Sequence, residues 1–313
     1  MSKRHLLLGL IGANIMRSLS PALFGDAFAA AGIDGFYHLM DVDRLPERRL
    51  AKLLDAIKAA GFAGANITYP FKQDVIALLD TVDQEAAQIG AVNTVAIEPD
   101  GRTIGYNFDR RGWRNGFEEG LGRDSARGSM VVVVGAGGAG RAVAFALMDL
   151  GAGVIVIHDR DGARANALNA DLAKHYGASR CRVTTDLERD IAAAQGVVNA
   201  TQVGMRGFPG NPVPTFALKA SHWAADVIYT PIATEFIKAA AAKGARVING
   251  GGMCVHQAAE AFRLFTGIDP DVARMHRAFA TALAARKNFD DGQADDRAGI
   301  PHFLQRSEAP LEP

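Results

Sequence analysis

The sequence predicts an α/β chain of two domains, the second built on a doubly wound parallel sheet. Two observations carry this. Short apolar runs alternate with segments of helical periodicity along most of the chain, the pattern of βα units. In addition, the apolar run Met130–Val134 passes directly into Gly135-Ala136-Gly137-Gly138-Ala139-Gly140 and then into the helix formers of 141–150. Four successive valines favour a strand buried on both faces. Strand, glycine turn and helix in this order is the setting of a Rossmann-type dinucleotide-binding fingerprint. Gly135 permits the tight turn, Gly137 lets backbone approach a pyrophosphate, and Gly140 lets helix pack on strand. The helix start then offers free N–H groups and a positive dipole end to phosphates.

Taken in order, residues 6–11 read as a buried strand, followed by a polar loop ending at Pro21. Residues 22–32 have helical spacing and stop at Gly32, and 37–42 form a second strand. Residues 50–60 are helical, 63–68 form a short strand running into Tyr69-Pro70, and 74–79 start another helix. Residues 91–97 and 103–106 pair around the turn Pro99-Asp100-Gly101. This first hundred residues has no glycine fingerprint and forms an α/β domain of its own. Residues 109–122 are helix and linker. Strands follow at 154–157, 182–184, 196–200, 225–229 and 245–248, separated by helices at 163–176 and 235–243. Gly250–252 reads as a break before helices at 255–265 and 271–285. The expected division is 1–108 as a substrate-binding catalytic domain completed by helices at about 253–287, 109–252 as the dinucleotide domain, and 288–313 as a flexible polar tail.

Composition narrows the function classes. The 313 residues are 49% apolar and 22% charged, ordinary for a globular protein. Lys plus Arg equals Asp plus Glu at 34 each, so charge gives no reason to expect nucleic acid or an anionic membrane as partner. Cys181 and Cys254 lack metal-ligand spacing, and the eight histidines form no HExxH-like cluster, so no metal is expected. No apolar run reaches about 18 residues. The basic start and short apolar run soon meet Asn14 and Arg17, and the stretch reads as a first strand, not a signal peptide. A cytoplasmic, disulfide-free protein is expected, with its oligomeric state left open.

The second expected strand of the dinucleotide domain ends at His158-Asp159. Asp159 lies 19 residues past Gly140, close to the roughly 20 expected of an acid that accepts from a ribose 2′-hydroxyl. Such a carboxylate favours NAD and repels the 2′-phosphate of NADP. Arg160 could instead hold that phosphate, so NADP stays possible. Asp161 adds a further negative charge, and the whole stretch could also be a solvated turn.

Outside the glycine turn, several motifs occur in order: Ser18-Leu-Ser20-Pro21, Asn66-Ile-Thr68-Tyr-Pro70-Phe-Lys72, Gly90-Ala-Val-Asn93-Thr94 and Gly105-Tyr-Asn107-Phe-Asp109. After it come Asn199-Ala-Thr201 with Gly204-Met205, Asp226-Val227-Ile-Tyr229-Thr-Pro231, and Gln257 within HQAAEAF. Together, over residues 5–285, they resemble the shikimate dehydrogenase family, including its NAD-using quinate/shikimate branch. The resemblance implies a reversible hydride transfer between shikimate, giving 3-dehydroshikimate, and a nicotinamide cofactor. It implies substrate contacts from Ser18, Ser20, Asn66, Thr68, Lys72, Asn93, Asp109, Tyr229 and Gln257. It also implies cofactor contacts from the glycine turn and from Asp159, Arg160, Arg164, Thr201, Met205, Val227 and Gly250.

The residue chemistry agrees with that reading. A polyhydroxylated acid needs many neutral hydrogen-bond partners and few charges, and these side chains supply them. Lys72 and Asp109 are the expected catalytic pair, because removing hydride from a secondary alcohol leaves a proton to be taken off. Burial favours a neutral lysine while an adjacent carboxylate favours the ammonium form, so the formal base stays open. On spacing alone Lys72 could be an exposed first-turn residue, and Ser20 and Asp109 could be helix N-caps. Two departures from the usual family pattern matter. NADP-using members carry Asn-Arg-Thr where this chain has Asp159-Arg160-Asp161, and the NAD-using branch carries an acid with an arginine matching Arg164. Quinate-preferring members tend to have threonine where this chain has Ser20. Quinate or aminoshikimate oxidation at the same site is the alternative reading, and a non-catalytic dinucleotide-binding sensor is the alternative of another class.

Overall fold

Two six-stranded sheets carry the fold of the computed structural model, which describes residues 5–44 and 49–298. The first part of the chain runs β1 (His5–Gly12), α1 (Ser20–Ala31), β2 (Asp34–Asp41), α2 (Leu50–Ala59), β3 (Gly64–Ile67), β4 (Thr81–Val82), α3 (Gln84–Ile89), β5 (Thr94–Ile97) and β6 (Thr103–Tyr106). The second part runs α4 (Asp109–Leu121), β7 (Met130–Val134), α5 (Gly138–Asp149), β8 (Val154–His158), α6 (Gly162–Tyr176), β9 (Cys181–Val183), α7 (Leu187–Ala193), β10 (Gly196–Asn199), β11 (Trp223–Asp226), α8 (Glu235–Ala242), β12 (Arg246–Ile248), α9 (Gly251–Thr266) and α10 (Val272–Ala298).

The first sheet has the order β2-β1-β3-β5-β6-β4 and is mixed. β1 pairs in parallel with β2 and β3, whereas β5 is antiparallel to both β3 and β6. The hairpin at 98–102 makes that reversal possible, since antiparallel neighbours need only a short turn. The second sheet is parallel throughout, in the order β12-β11-β10-β7-β8-β9. This is the doubly wound order predicted from the glycine turn. Its reversal point lies between β7 and β10, where ligands bind in such sheets. Val131 to Val134 are all buried, as helices on both faces of the sheet require.

The structure adds β4, α3 and α7, which the sequence did not single out, and starts β2 at Asp34, three residues before the expected strand. Four further departures have a clear physical reason. Residues 74–78 form a 3₁₀ helix in place of an α-helix. Only Val75 is buried there, so no apolar stripe sustains a longer helix. Asp80 instead draws the chain into β4, accepting from the Thr103 N–H at 2.7 Å and hydroxyl at 2.8 Å. The expected break at Gly250–252 is the start of α9, which begins at Gly251. Gly252, with Gly112 and Gly116 of α4, lets two helix backbones touch: a Cβ on Gly252 would sit 2.9 Å from Gly116 Cα, one on Gly116 2.9 Å from Met253 N, and one on Gly112 2.8 Å from Gln257 N. The strand expected at 225–229 lies two to three residues earlier as β11, because it pairs in register with β10 from Trp223. Finally, the polar segment from Asn288 continues α10 as far as Ala298. Extending a helix already packed on α1 and α9 requires no new nucleus, so a polar composition does not end it. The rest of the expected tail, 299–313, lies outside the described residues.

Candidate functional site

The loop after β1 is shaped by a carboxylate at the end of β2. Asp41, 3% exposed, accepts from the backbone N–H groups of Asn14, Ile15 and Met16 at 2.9 to 3.2 Å. This loop delivers Ser18 and Ser20 to one place. Ser20 starts α1 as its first helical residue, and Leu19, not Ser20, occupies the N-cap position. The Ser18 hydroxyl donates to Ser20 Oγ at 3.1 Å. Ser20 also meets the Tyr37 phenol, and Ser18 meets the Tyr229 phenol. Burial pushes both phenols well above the usual tyrosine range, so both remain neutral hydroxyls. Four hydroxyl side chains thus gather without a carboxylate among them.

A continuous hydrogen-bond chain leads from there to the lysine. The Tyr37 hydroxyl donates to Asn66 Oδ1 at 2.8 Å. Asn66 Nδ2 donates to Thr94 Oγ1, and the Thr94 hydroxyl donates to Asn93 Oδ1, each at 2.9 Å. Asn93 Nδ2 donates to Asp109 Oδ1 at 3.0 Å and to Gln257 Oε1 at 3.4 Å. Lys72 Nζ donates to Asp109 Oδ2 at 2.5 Å, with side-chain exposures of 17% and 4%. Lys72 is therefore no free surface residue. Asp109 does not cap α4; it is the first helical residue, after Phe108. Its own N–H donates to Asn107 Oδ1, and Asn107 in turn holds the Ala91 carbonyl. The Lys72 segment is anchored by Val92 N–H donating to the Lys72 carbonyl at 2.7 Å. Thr68, four residues before Lys72, sits half-buried directly after β3.

The lysine also faces the glycine turn. A Cβ on Gly138 would lie 2.8 Å from Lys72 Cβ, so the first residue of α5 touches the candidate catalytic side chain. Gly135 has φ +107, a conformation that favours glycine, and a Cβ on Gly140 would overlap the Gly135 carbonyl. Among the described residues, no atom beyond its chain neighbours lies within 4 Å of a Cβ position on Gly137, the residue preceding α5. A tight turn, an open approach and a free helix start are the cradle a pyrophosphate requires, and these residues fit one. Asp159 Oδ2 accepts from Ala136 N–H at 2.7 Å and Oδ1 accepts from Asp161 N–H at 2.9 Å. It stands beside the turn with lone pairs left for a ribose hydroxyl. Asp161 is the N-cap of α6, accepting from the Ala163 and Arg164 N–H groups, while Arg160 and Arg164 are exposed beside it.

Across the sheet reversal, Asn199 Oδ1 accepts from the Thr201 N–H and hydroxyl, holding Thr201 against Gly135. Met205 is half-buried in the loop that follows. Val227 N–H donates to the Asn199 carbonyl at 3.0 Å. Gly250 is buried so closely that a Cβ would overlap the Val227 carbonyl. Its glycine is required for backbone packing, which places Val227 and the start of α9 together.

Sequence reasoning did not single out Tyr37, Asp41, Thr94, Asn107 or Arg141, and it weighed Cys254 only as a metal ligand. Thr94 and Asn107 stood inside quoted motifs, but their roles are relays between partners distant in sequence. Arg141 leaves α5 to bond the Ile89 carbonyl and Asp171, joining the two halves of the chain. The Cys254 thiol lies against Tyr229, and burial pushes it up to about 12.

Asp226 gives a pH prediction. It accepts from Thr234 Oγ1, Ile228 N–H and Asn199 Nδ2, yet burial raises its carboxyl from the usual 3.8 to about 6. Between roughly pH 4 and 6 the folded chain retains a proton that the unfolded chain has released. Stability therefore falls as pH rises through that window, by up to about 3 kcal/mol. Asp226→Asn is neutral at every pH, and its amide can donate to Thr234. The stability of this variant relative to the parent should rise from pH 4 to 7 by about 1–3 kcal/mol, measured by urea unfolding. A constant difference would show that Asp226 is ionised throughout.

Among the described residues no helix is long and apolar enough to cross a membrane. Residues 10–95 match the shikimate dehydrogenase substrate-binding domain, and residues 250–278 match the shikimate 5′-dehydrogenase C-terminal domain. The quinate/shikimate dehydrogenase (NAD(+)) of Corynebacterium efficiens is 46% identical, over 89% of this chain and 99% of the relative. The shikimate dehydrogenase (NADP(+)) of Streptomyces avermitilis is 45% identical, over 88% and 95%. Among solved structures, quinate dehydrogenase from Corynebacterium glutamicum in complex with NAD superposes with a TM-score of 0.81 at 43% identity, covering 89% of this chain and all of that one. Shikimate 5-dehydrogenase from Thermus thermophilus in complex with NADP(H) and shikimate gives 0.77 at 36%, again covering 89% and 100%. Identity at this level along nearly nine-tenths of the sequence exceeds what a shared fold requires, and the chain belongs to the shikimate and quinate dehydrogenase family of oxidoreductases.

Proposed function

We propose that this protein oxidises shikimate reversibly to 3-dehydroshikimate, with quinate as a second substrate and NAD as preferred cofactor. The observation that carries the proposal is the Lys72–Asp109 pair, braced by Asn93 and set directly against Gly138 of the dinucleotide turn. A nicotinamide bound at this turn supplies a hydride acceptor. Lys72 and Asp109 then hold the substrate hydroxyl and take up its proton as one coupled unit. Asn93 orients Asp109 by spending one N–H on it and the other on Gln257. A binding-only sensor has no use for such a buried pair, which disfavours that reading.

The neutral hydroxyls of Ser18, Ser20, Tyr37 and Tyr229 suit a carboxylate, which accepts several hydrogen bonds without needing a cation. Asn66, Thr68 and Gln257 contribute to the ring-hydroxyl side. Asp159, Arg160 and Arg164 hold the adenosine end, and Thr201, Met205, Val227 and Gly250 shape the nicotinamide side. In this reading residues 1–108, completed by helices at 253–287, bind substrate, and residues 109–252 bind the dinucleotide. The unpaired, buried cysteines suit a cytoplasmic setting.

The test is the reduced-nicotinamide absorbance band, followed with shikimate and quinate against NAD and NADP. Turnover should be fastest with NAD, on both acids. No reduction with either acid would overturn the proposal.

Ser20→Thr probes the acid preference. The new methyl lies at a site only 7% exposed, between Ser18 and Tyr37. It should move the quinate-to-shikimate ratio of kcat/KM toward quinate by a few-fold, since a methyl group is worth roughly 1 kcal/mol or somewhat more. An unchanged ratio would remove Ser20 from substrate discrimination.

A further inference from the structure

We propose a second site in this protein, a zinc-class metal site formed by Glu119, His256 and His276. One ligand comes from each of α4, α9 and α10. His256 Nε2 lies 2.8 Å from Glu119 Oε1, and His276 Nε2 lies 3.5 Å from Glu119 Oε2. The two imidazole rings meet edge to face with centroids 5.4 Å apart. One donor atom from each of the three residues falls within 4.8 Å of the others. Four ligands held tetrahedrally at zinc distances of roughly 2.0–2.1 Å lie about 3.3 Å apart. The observed spacings bracket that value, so modest side-chain rotation brings three donors onto one ion.

The independent observation is a buried imidazole nitrogen left without a well-formed hydrogen bond. His256 is 8% exposed, and among the described residues its Nε2 makes no hydrogen bond, since its 2.8 Å approach to Glu119 Oε1 is an ion-pair contact only. His276 Nε2 is in the same position. An unsatisfied buried nitrogen is costly, and a shared cation would satisfy both rings and the carboxylate at once. The Glu119 and His276 side chains are 53% and 37% exposed, which leaves an entry path and a fourth position for water. Two imidazoles with one carboxylate suit zinc and its transition-metal neighbours; magnesium and calcium demand oxygen ligands.

The ion would tie together the three helices at the join between the two halves of the chain. It would sit on α9 one residue from Gln257 but outside the Lys72–Asp109 site, and it is independent of the proposed oxidation. The expectation of no metal rested on local spacing. Glu119 is 137 residues before His256, and His276 is 20 after it, so no short motif could reveal the set.

The experiment is calorimetric titration of the full, tag-free protein with zinc chloride, with cobalt(II) absorption reporting coordination geometry. One zinc per chain should bind, with a rise in Tm and a tetrahedral cobalt spectrum. Glu119→Gln and the half-exposed His276→Asn should each weaken binding by about tenfold or more, as loss of even supporting groups commonly does. Both changes avoid the buried His256 and should leave the fold intact, checked by circular dichroism. Absence of saturable binding, equal affinity in parent and variants, or equal binding of magnesium chloride would each overturn the proposal.

Discussion

Lys72→Ala should lower kcat by roughly 10²–10⁴-fold, the usual worth of a positioned proton-transfer group. The side chain reaches Asp109 at 2.5 Å, and its base packs on Gly138. Truncation therefore removes the group proposed to hold the reacting hydroxyl while leaving the glycine turn in place. Asp109 keeps the Asn93 donor, but loses its cation at a position only 4% exposed. Breaking a buried pair can cost about 3–5 kcal/mol of stability. Turnover must therefore be compared at a temperature where circular dichroism shows the variant folded. NAD affinity, measured by fluorescence titration, should change little. Near-normal turnover in a folded, NAD-binding variant would remove the proposed role.

Asp159→Asn should shift the NADP-to-NAD ratio of kcat/KM by about tenfold or more, equivalent to at least about 1.4 kcal/mol. Two anions 4 Å apart repel by roughly 4 kcal/mol at an intermediate effective dielectric, and the exposed Arg160 offsets part of this. The structure adds a cost. Asp159 accepts one backbone N–H on each carboxylate oxygen, from Ala136 and from Asp161. An asparagine has one carbonyl oxygen for these two donors, so the variant should also bind NAD somewhat less well. Adding Asp161→Thr should shift the ratio further. Threonine can still cap α6, where Asp161 now accepts from Ala163 and Arg164. A parent enzyme that already prefers NADP, or an unchanged ratio in the variants, would show that Arg160 decides the choice.

Much of the site was legible because its residues lie in short stretches. The glycine turn, Asp159 just after β8, and Ser18 with Ser20 each stand in a short stretch whose residue types can be read directly, even though Asp41 and Ala136, distant in the chain, help to hold them. What the motifs could not state was what each side chain touches. Asn93 was expected at the substrate; the structure shows it bracing Asp109 and meeting Gln257, 164 residues away. Asp161 was expected as extra charge near the ribose and is a helix cap. Arg141, directly after the fingerprint, bonds Ile89 and Asp171 on opposite halves of the chain.

The amino-acid sequence by itself determined the parallel sheet, the dinucleotide turn and the resemblance that named the lysine–aspartate pair. Strand alternation, turn chemistry and motif order are properties of short stretches, and each carries its own physical signature. Only the tertiary structure decided that Gly251 and Gly252 begin a helix, that α10 continues past Asn288, and that Glu119, His256 and His276 converge. Those outcomes depend on backbone-to-backbone contact between α4 and α9 and on packing of α10 against α1 and α9. Such contacts join residues far apart in sequence, and their energies exist only once the helices have met.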